Sequence, residues 1–243
     1  MVKRSGGNEQ DGVGDSMQYM GSKASIARKL LEVMLPCRRP NQCWVEPFVG
    51  AGGMIQNVDG PRIGSDSDGY IVAFLNAVRD GWVPDPINKY LYRFIKCNKE
   101  LFMPEYLAYV GYGCSFGGKW FGGFAHDSLG RNYSAIAIRS IKKQAPKLSN
   151  ADFYHCEYNK LYIPPSSFIY CDPPYKNTTK YKIDFSHGLF WQWCRYMRDV
   201  GHTIFISEYT APDDFECVFE LRHKSKLHKT RIQDRNEKLF TLQ

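Results

Sequence analysis

The chain has 243 residues, 43% of them hydrophobic, enough to bury a full α/β core and carry one small added lobe. A formal net charge of +7 points toward a polyanionic partner, and no long apolar run supports a signal peptide or a membrane span. Eight cysteines form neither Cys-x-x-Cys pairs nor a zinc spacing with histidine, so a disulfide scaffold and a metal site are unsupported and reduced thiols of a cytoplasmic protein are expected.

Residues 1–16 are polar and glycine-rich and read as a flexible tail. Gln18-Tyr19-Met20-Gly21-Ser22-Lys23 opens a helical stretch. Gln42 to Phe48 reads as a strand, and Val49-Gly50-Ala51-Gly52-Gly53 follows it directly. Glycines there let the backbone come close to a ligand. The loop has no Gly-x-Gly-x-x-Gly and no Lys-Ser/Thr after it, so a cofactor without phosphates suits it better. Arg62 to Asp66 is a short strand closing on an acid. An acid at that place holds ribose hydroxyls in nucleotide-binding α/β sheets. Asp68 reads as the N-cap of a helix from Tyr70 to Val78.

The segment 81–150 is cationic. Between Lys89 and Asn150 stand ten Lys or Arg against three acids, a balance suited to phosphate contact. Tyr112 to Phe124 interleaves aromatics, glycines and Lys119, a composition that predicts a flexible loop lying against a duplex. Phe116, Trp120 and Phe121 read either as wedge and stacking residues or as packing within the lobe. Ser134 to Lys147 reads as a helix with a basic face.

Phe168-Ile169-Tyr170-Cys171-Asp172-Pro173-Pro174-Tyr175 carries the chemistry. A short apolar strand of the buried type is stopped by two prolines. In open α/β sheets ligands sit at the carboxyl ends of strands, which places Asp172 and Tyr175 at a cleft. An amine conjugated to an aromatic ring is a poor nucleophile because its lone pair is delocalised. A carboxylate at Asp172 and the carbonyl of Pro173 can each accept one N–H and favour a pyramidal nitrogen, and Tyr175 offers a face for stacking. Beyond it, Lys176 to Asp184 is polar and reads as a mobile lid over the cleft. Phe190 to Trp193 reads as part of a helix and His202 to Ser207 as a further strand. Glu208 and Asp213 read as turn formers. Arg222 to Lys238 reads as a basic carboxyl-terminal tail, in contact with a phosphate backbone or merely solvated.

Taken in order, Gln18 to Lys23, Glu46 to Gly53, Asp66 and Asp172-Pro173-Pro174-Tyr175 resemble the Dam-like (D12 class) DNA adenine-N6 methyltransferases, which use S-adenosylmethionine. The resemblance spans about residues 17 to 220. Tyr19 stands where the family usually has tryptophan, and Ser22 where it often has glycine. The fold implied is an α/β, Rossmann-like methyltransferase sheet with an inserted, mostly helical target-recognition lobe. The catalytic domain would be 17–80 and 151–243, and the lobe 81–150. The activity implied is methyl transfer to the N6 of adenine in double-stranded DNA after base flipping, in DNA modification of the restriction-modification kind, with GATC as a plausible site. The catalytic residues would be Asp172, Pro173, Pro174 and Tyr175. The cofactor would lie on Tyr19, Gly21, Lys23, Glu46, Pro47, Phe48, Gly50, Gly52, Gly53 and Asp66, with Asp172 beside it. Nucleic acid would meet Lys119, Trp120, Arg131, Asn132, Arg139, Lys142 and Lys143. A phage-encoded enzyme in a bacterial host cytoplasm, with no membrane and no obligate protein partner, fits this reading. The alternatives are an RNA adenine-N6 methyltransferase and an inactive DNA-binding regulator.

Overall fold

The computed structural model describes residues 16–126, 130, 132–175, 185–228 and 231–242, with the backbone alone in 222–228 and 231–235. The tail expected at 1–16, except for the buried Ser16, and the lid expected at 176–184 lie outside the described residues. So does Arg131.

Strands β1 (Trp44–Glu46), β2 (Arg62–Asp66), β3 (Ala151–His155), β4 (Phe168–Cys171) and β5 (Thr203–Glu208) are joined by β6 (Glu216–His228) and β7 (Arg231–Thr241). They form one sheet of seven strands in the order β3-β2-β1-β4-β5-β7-β6. The first five are parallel, and β7 runs antiparallel between β5 and β6. This is the α/β, Rossmann-like sheet the sequence predicts. β1 and β4 are buried at every position, which explains their unbroken apolar and aromatic character. On one face Trp44 stacks on Phe168 at 5.0 Å between centroids, and Phe168 on Phe205 at 5.2 Å. The other face packs Val45, Ile169 and Ile204 against Phe190, Trp191 and Cys194 of α6 (His187–Asp199).

The chain steps outward from β1 to β2 and β3, then returns to lay β4 on the other side of β1. That reversal makes a crevice at the carboxyl ends of β1 and β4, the place where open α/β sheets bind ligands. Helices α1 (Ala27–Met34) and α2 (Gly69–Arg79) pack on the Trp44 face. Asp68 caps α2 as its sequence position predicts, accepting from the amides of Tyr70 at 2.9 Å and Ile71 at 3.4 Å. The first helix begins at Ala27 rather than near Gln18, because Gly21 at φ +89° breaks the run into turns.

Segment 81–150 holds α3 (Lys89–Cys97), α4 (Pro104–Ala108) and α5 (Tyr133–Leu148). Its Ile95, Leu107, Tyr109 and Ile141 belong to the same buried cluster as Trp44, Phe74 and Phe168, so this segment shares the core of the sheet. The stretch 112–124 is not an open loop. A π-helical turn (Tyr109–Gly113) and a 3-10 turn (Phe116–Gly118) fold it tightly, and its glycines admit close neighbours. A Cβ on Gly113 would lie 2.8 Å from Met17, and one on Gly118 2.8 Å from the Met20 amide nitrogen.

The presumed basic tail at Arg222–Lys238 is instead most of a long hairpin, β6 with β7, whose pairing runs from Glu216↔Thr241 to His228↔Arg231. Its place in the sheet follows from the pairing of Lys238 to Thr241 with β5, which no local pattern signals. Among the described residues no helix is long and apolar enough to cross a membrane.

Candidate active site

Asp172 follows the last residue of β4, where the prolines end the strand beside the β1–β4 crevice. The turn at 19–26 brings Lys23 to it, with Nζ 2.8 Å from Asp172 Oδ1. Both groups are largely buried, yet the Asp172 side chain keeps 18% of its surface accessible, so the cleft reaches it. The Tyr175 hydroxyl donates to Glu237 Oε2 at 2.7 Å, and Lys23 Nζ lies 3.7 Å from that same oxygen. Lys23 Nζ also sits over the Tyr175 ring, 4.5 Å from its centroid, and Tyr209 meets that ring edge-on at 4.6 Å. His187 Nε2 lies 3.0 Å from the Pro174 carbonyl oxygen and 3.4 Å from Glu208 Oε1.

Burial raises the Asp172 carboxyl above the usual range, and the Lys23 charge only partly offsets it. Burial alone would lower Lys23, but the Asp172 and Glu237 carboxylates outweigh it and hold the ammonium above its ordinary value. Two carboxylates therefore share one cation. Glu46, the last residue of β1, is pushed up to about 8 by burial and by the Asp172 charge, although it accepts from Trp44 Nε1 at 2.7 Å.

The glycine loop after β1 is braced from three sides. Asp66 Oδ2 accepts from the Gly50 amide and Oδ1 from the Asp68 amide, each at 3.0 Å. Burial pushes Asp66 up to about 6 against those two bonds. Gln144 of α5 donates to the Ala51 carbonyl at 2.7 Å. Tyr19 covers Gly50 so closely that a Cβ there would lie 3.1 Å from its ring. Gly50 at φ +48° and Gly52 at φ +74° need the left-handed region. Pro47 is buried, and Phe48 stacks on Tyr158 at 5.3 Å.

The segment 81–150 reaches this site directly. Tyr112 donates to Asp68 Oδ2 and packs edge-on against Tyr19 at 5.0 Å, and the Gly118 carbonyl accepts from the Met20 amide at 3.3 Å. Lys119 is thus exposed at the rim of the cleft. Trp120 packs among Tyr70, Tyr112 and Phe121 at 4.7 to 4.9 Å, and Phe121 is buried, whereas Phe116 is 63% exposed. Asn132 caps α5 through the Ala135 amide. Arg139, Lys142 and Lys143 are exposed on α5. The Lys147 carbonyl, near the end of that helix, accepts from Arg62 at the start of β2. Gln144, beside Lys143, reaches the Ala51 carbonyl, so the middle of α5 lies level with the glycine loop and its last turn level with the start of β2.

Sequence reading missed Glu237, Tyr112, Gln144 and the pairing of His187 with Glu208. Glu208 ends β5 and is 1% exposed, so it is a buried strand residue and not a turn former. The first three are far in sequence from what they touch and carry no local signature.

No protein-family model matches the chain, and no curated protein matches it. Solved structures resemble it distantly. One, described as "Putative methyltransferase yhhF from Escherichia coli", has a TM-score of 0.38 and 11% identity, over 89% of this chain and 84% of that one. Another, described as SMU.472, "a putative methyltransferase complexed with SAH", has a TM-score of 0.40 and 10% identity, over 95% of this chain. The alignment spans only 55% of that second protein. Neither likeness is close enough to carry an argument about activity, which rests on the site itself.

Proposed function

We propose that the chain is an S-adenosylmethionine-dependent methyltransferase acting on the N6 amino group of adenine in double-stranded DNA. The observation that carries this reading is the meeting of Lys23, Asp172 and Tyr175 at the mouth of the β1–β4 crevice.

The donor set suits a nucleoside cofactor with a cationic centre. Asp66, at the end of β2 and tied to Gly50, would hold the ribose hydroxyls. Tyr19, Gly21, Lys23 and the loop Glu46 to Gly53 would line the remainder. Bound there, the cofactor supplies an electrophilic methyl group on a sulfonium.

The protein's own residues then act on the base. Lys23 fixes one oxygen of Asp172, the carboxylate accepts one amino N–H, and the Pro173 carbonyl accepts the second. Held on one side, the nitrogen directs its lone pair outward. As the nitrogen gains the methyl group it must lose a proton, and Asp172, made more basic by burial, takes it. Tyr175 stacks on the adenine ring. Reaching the cleft requires the base to leave the helix, at a cost of a few kcal/mol. Lys119 at the rim and Arg139 on α5 would hold the phosphates meanwhile.

Incubation with labelled S-adenosylmethionine and either duplex DNA or RNA, followed by nucleoside analysis, tests the reading. N6-methyladenine in the DNA is expected. Label confined to RNA would move the substrate, and no label in either polymer would leave a binding protein.

A further inference from the structure

Glu237 comes from β7, in a stretch whose composition suggests only a basic surface. The antiparallel register pairs Glu208 with Lys238 and so carries Glu237 to the carboxyl end of β5, beside the crevice. It is 6% exposed there. Its Oε2 takes the Tyr175 hydroxyl at 2.7 Å and lies 3.7 Å from Lys23 Nζ. A carboxylate this buried needs partners, and both of its partners are functional residues of the site.

We propose that Glu237 is a positioning residue for methyl transfer, fixing the Tyr175 ring and setting a second negative charge beside Lys23, so that Asp172 stays a strong acceptor. This rests on the methyltransferase reading above. A single ammonium between two carboxylates neutralises neither completely. With Glu237 charged, Asp172 retains negative charge for the amino N–H. Without that charge, Lys23 belongs to Asp172 alone, and the carboxylate becomes a weaker acceptor and a weaker base. The other groups around Asp172 are Glu46 from β1, Tyr170 from β4 and Tyr175. Among the charges acting on Asp172, Lys23 pulls its titration down and Glu237 pushes it up.

Two variants separate charge from contact. Glu237→Gln keeps the length and an oxygen for the Tyr175 hydroxyl but removes the charge, whereas Glu237→Asp keeps the charge. The readouts are the pH dependence of kcat and KM on duplex DNA, and the titration of the Asp172 carboxyl carbon by NMR in the protein alone, assigned with Asp172→Asn. Glu237→Gln should lower kcat by about tenfold or more, the scale of a misplaced catalytic group, with KM for the cofactor little changed. Its Asp172 titration and the acid limb of kcat should both move to lower pH, and Glu237→Asp should leave both near their wild-type positions. An Asp172 titration that stays in place in Glu237→Gln overturns the proposal, as does a loss of kcat with an unmoved acid limb. Wild-type protein that methylates no adenine would instead sink the methyltransferase reading, while the NMR titration would still decide whether Glu237 controls Asp172.

Discussion

Lys23 and Asp172 stand 149 residues apart in the chain and meet at 2.8 Å. The turn before α1 is thereby fastened to the end of the central strand β4. A carboxylate held by a buried cation at the sheet's switch point is a structural closure and, in the proposed function, a chemical tool, and the two roles can be separated by experiment.

Lys23→Met should leave Asp172 buried without its cation. Burial then acts with less opposition, so the Asp172 titration rises and the acid limb of the rate moves to higher pH, opposite in direction to the Glu237→Gln variant. Breaking one side of such a pair costs about 3 to 5 kcal/mol of folding stability. Urea unfolding together with a pH–rate profile measures both effects, and an acid limb at its wild-type position would show that Lys23 does not act on Asp172.

Glu46 gives a pH dependence of stability. Its carboxyl is raised from 4.5 to about 8 in the fold, so the folded state binds the proton more tightly than the unfolded chain does. Its contribution is complete below pH 4.5 and is lost as the pH climbs through about 8. Glu46→Gln keeps an oxygen for the Trp44 indole and should flatten that decline. Unfolding free energies at several pH values in this window check it, and an unchanged slope in the variant would contradict it.

Gly118 sits at φ +63°, where an added Cβ would be 2.8 Å from the Met20 amide nitrogen. Gly118→Ala should cost about 1 to 3 kcal/mol through strain and push Met20 and Tyr19 off the Gly50 loop. Calorimetry should show weaker binding of S-adenosylmethionine as well as a lower Tm. Normal binding in the folded variant would mean that segment 112–124 does not shape the cofactor site.

The basic residues are predicted to differ by position. Lys119→Ala, at the cleft rim, and Arg139→Ala should each reduce the slope of log binding constant against log salt by about one. Lys147→Ala, in the last turn of α5 beside the start of β2, should change it less. Equal slopes for all three variants would place the duplex elsewhere.

What the sequence discloses and what it hides divide along physical lines. Asp172-Pro173-Pro174-Tyr175, the loop Val49 to Gly53 and the acid Asp66 are strand endings, set by residues adjacent in the chain, and they lie where their local pattern predicts. Asp68 is legible as a cap because it bonds amides two and three residues on. The Tyr112 hydroxyl on that same Asp68 is not, since it arrives from 44 residues away. Glycines in 112–124 suggest flexibility by composition, but at Gly113 and Gly118 a side chain would meet Met17 and the Met20 backbone. Glu237 stays hidden because its place depends on β7 entering between β5 and β6. β3 escapes notice for another reason: it is half exposed and has no apolar run.

In the proposed function Asp172 holds the amino group of an everted adenine while Lys23 holds Asp172. Single-turnover methyl transfer and duplex binding, measured side by side for wild type and Asp172→Ala, test it most directly. Transfer should fall by on the order of a thousandfold or more, since acceptor and base are removed together, while duplex affinity changes only a few-fold. Transfer at near the wild-type rate in Asp172→Ala would contradict the account.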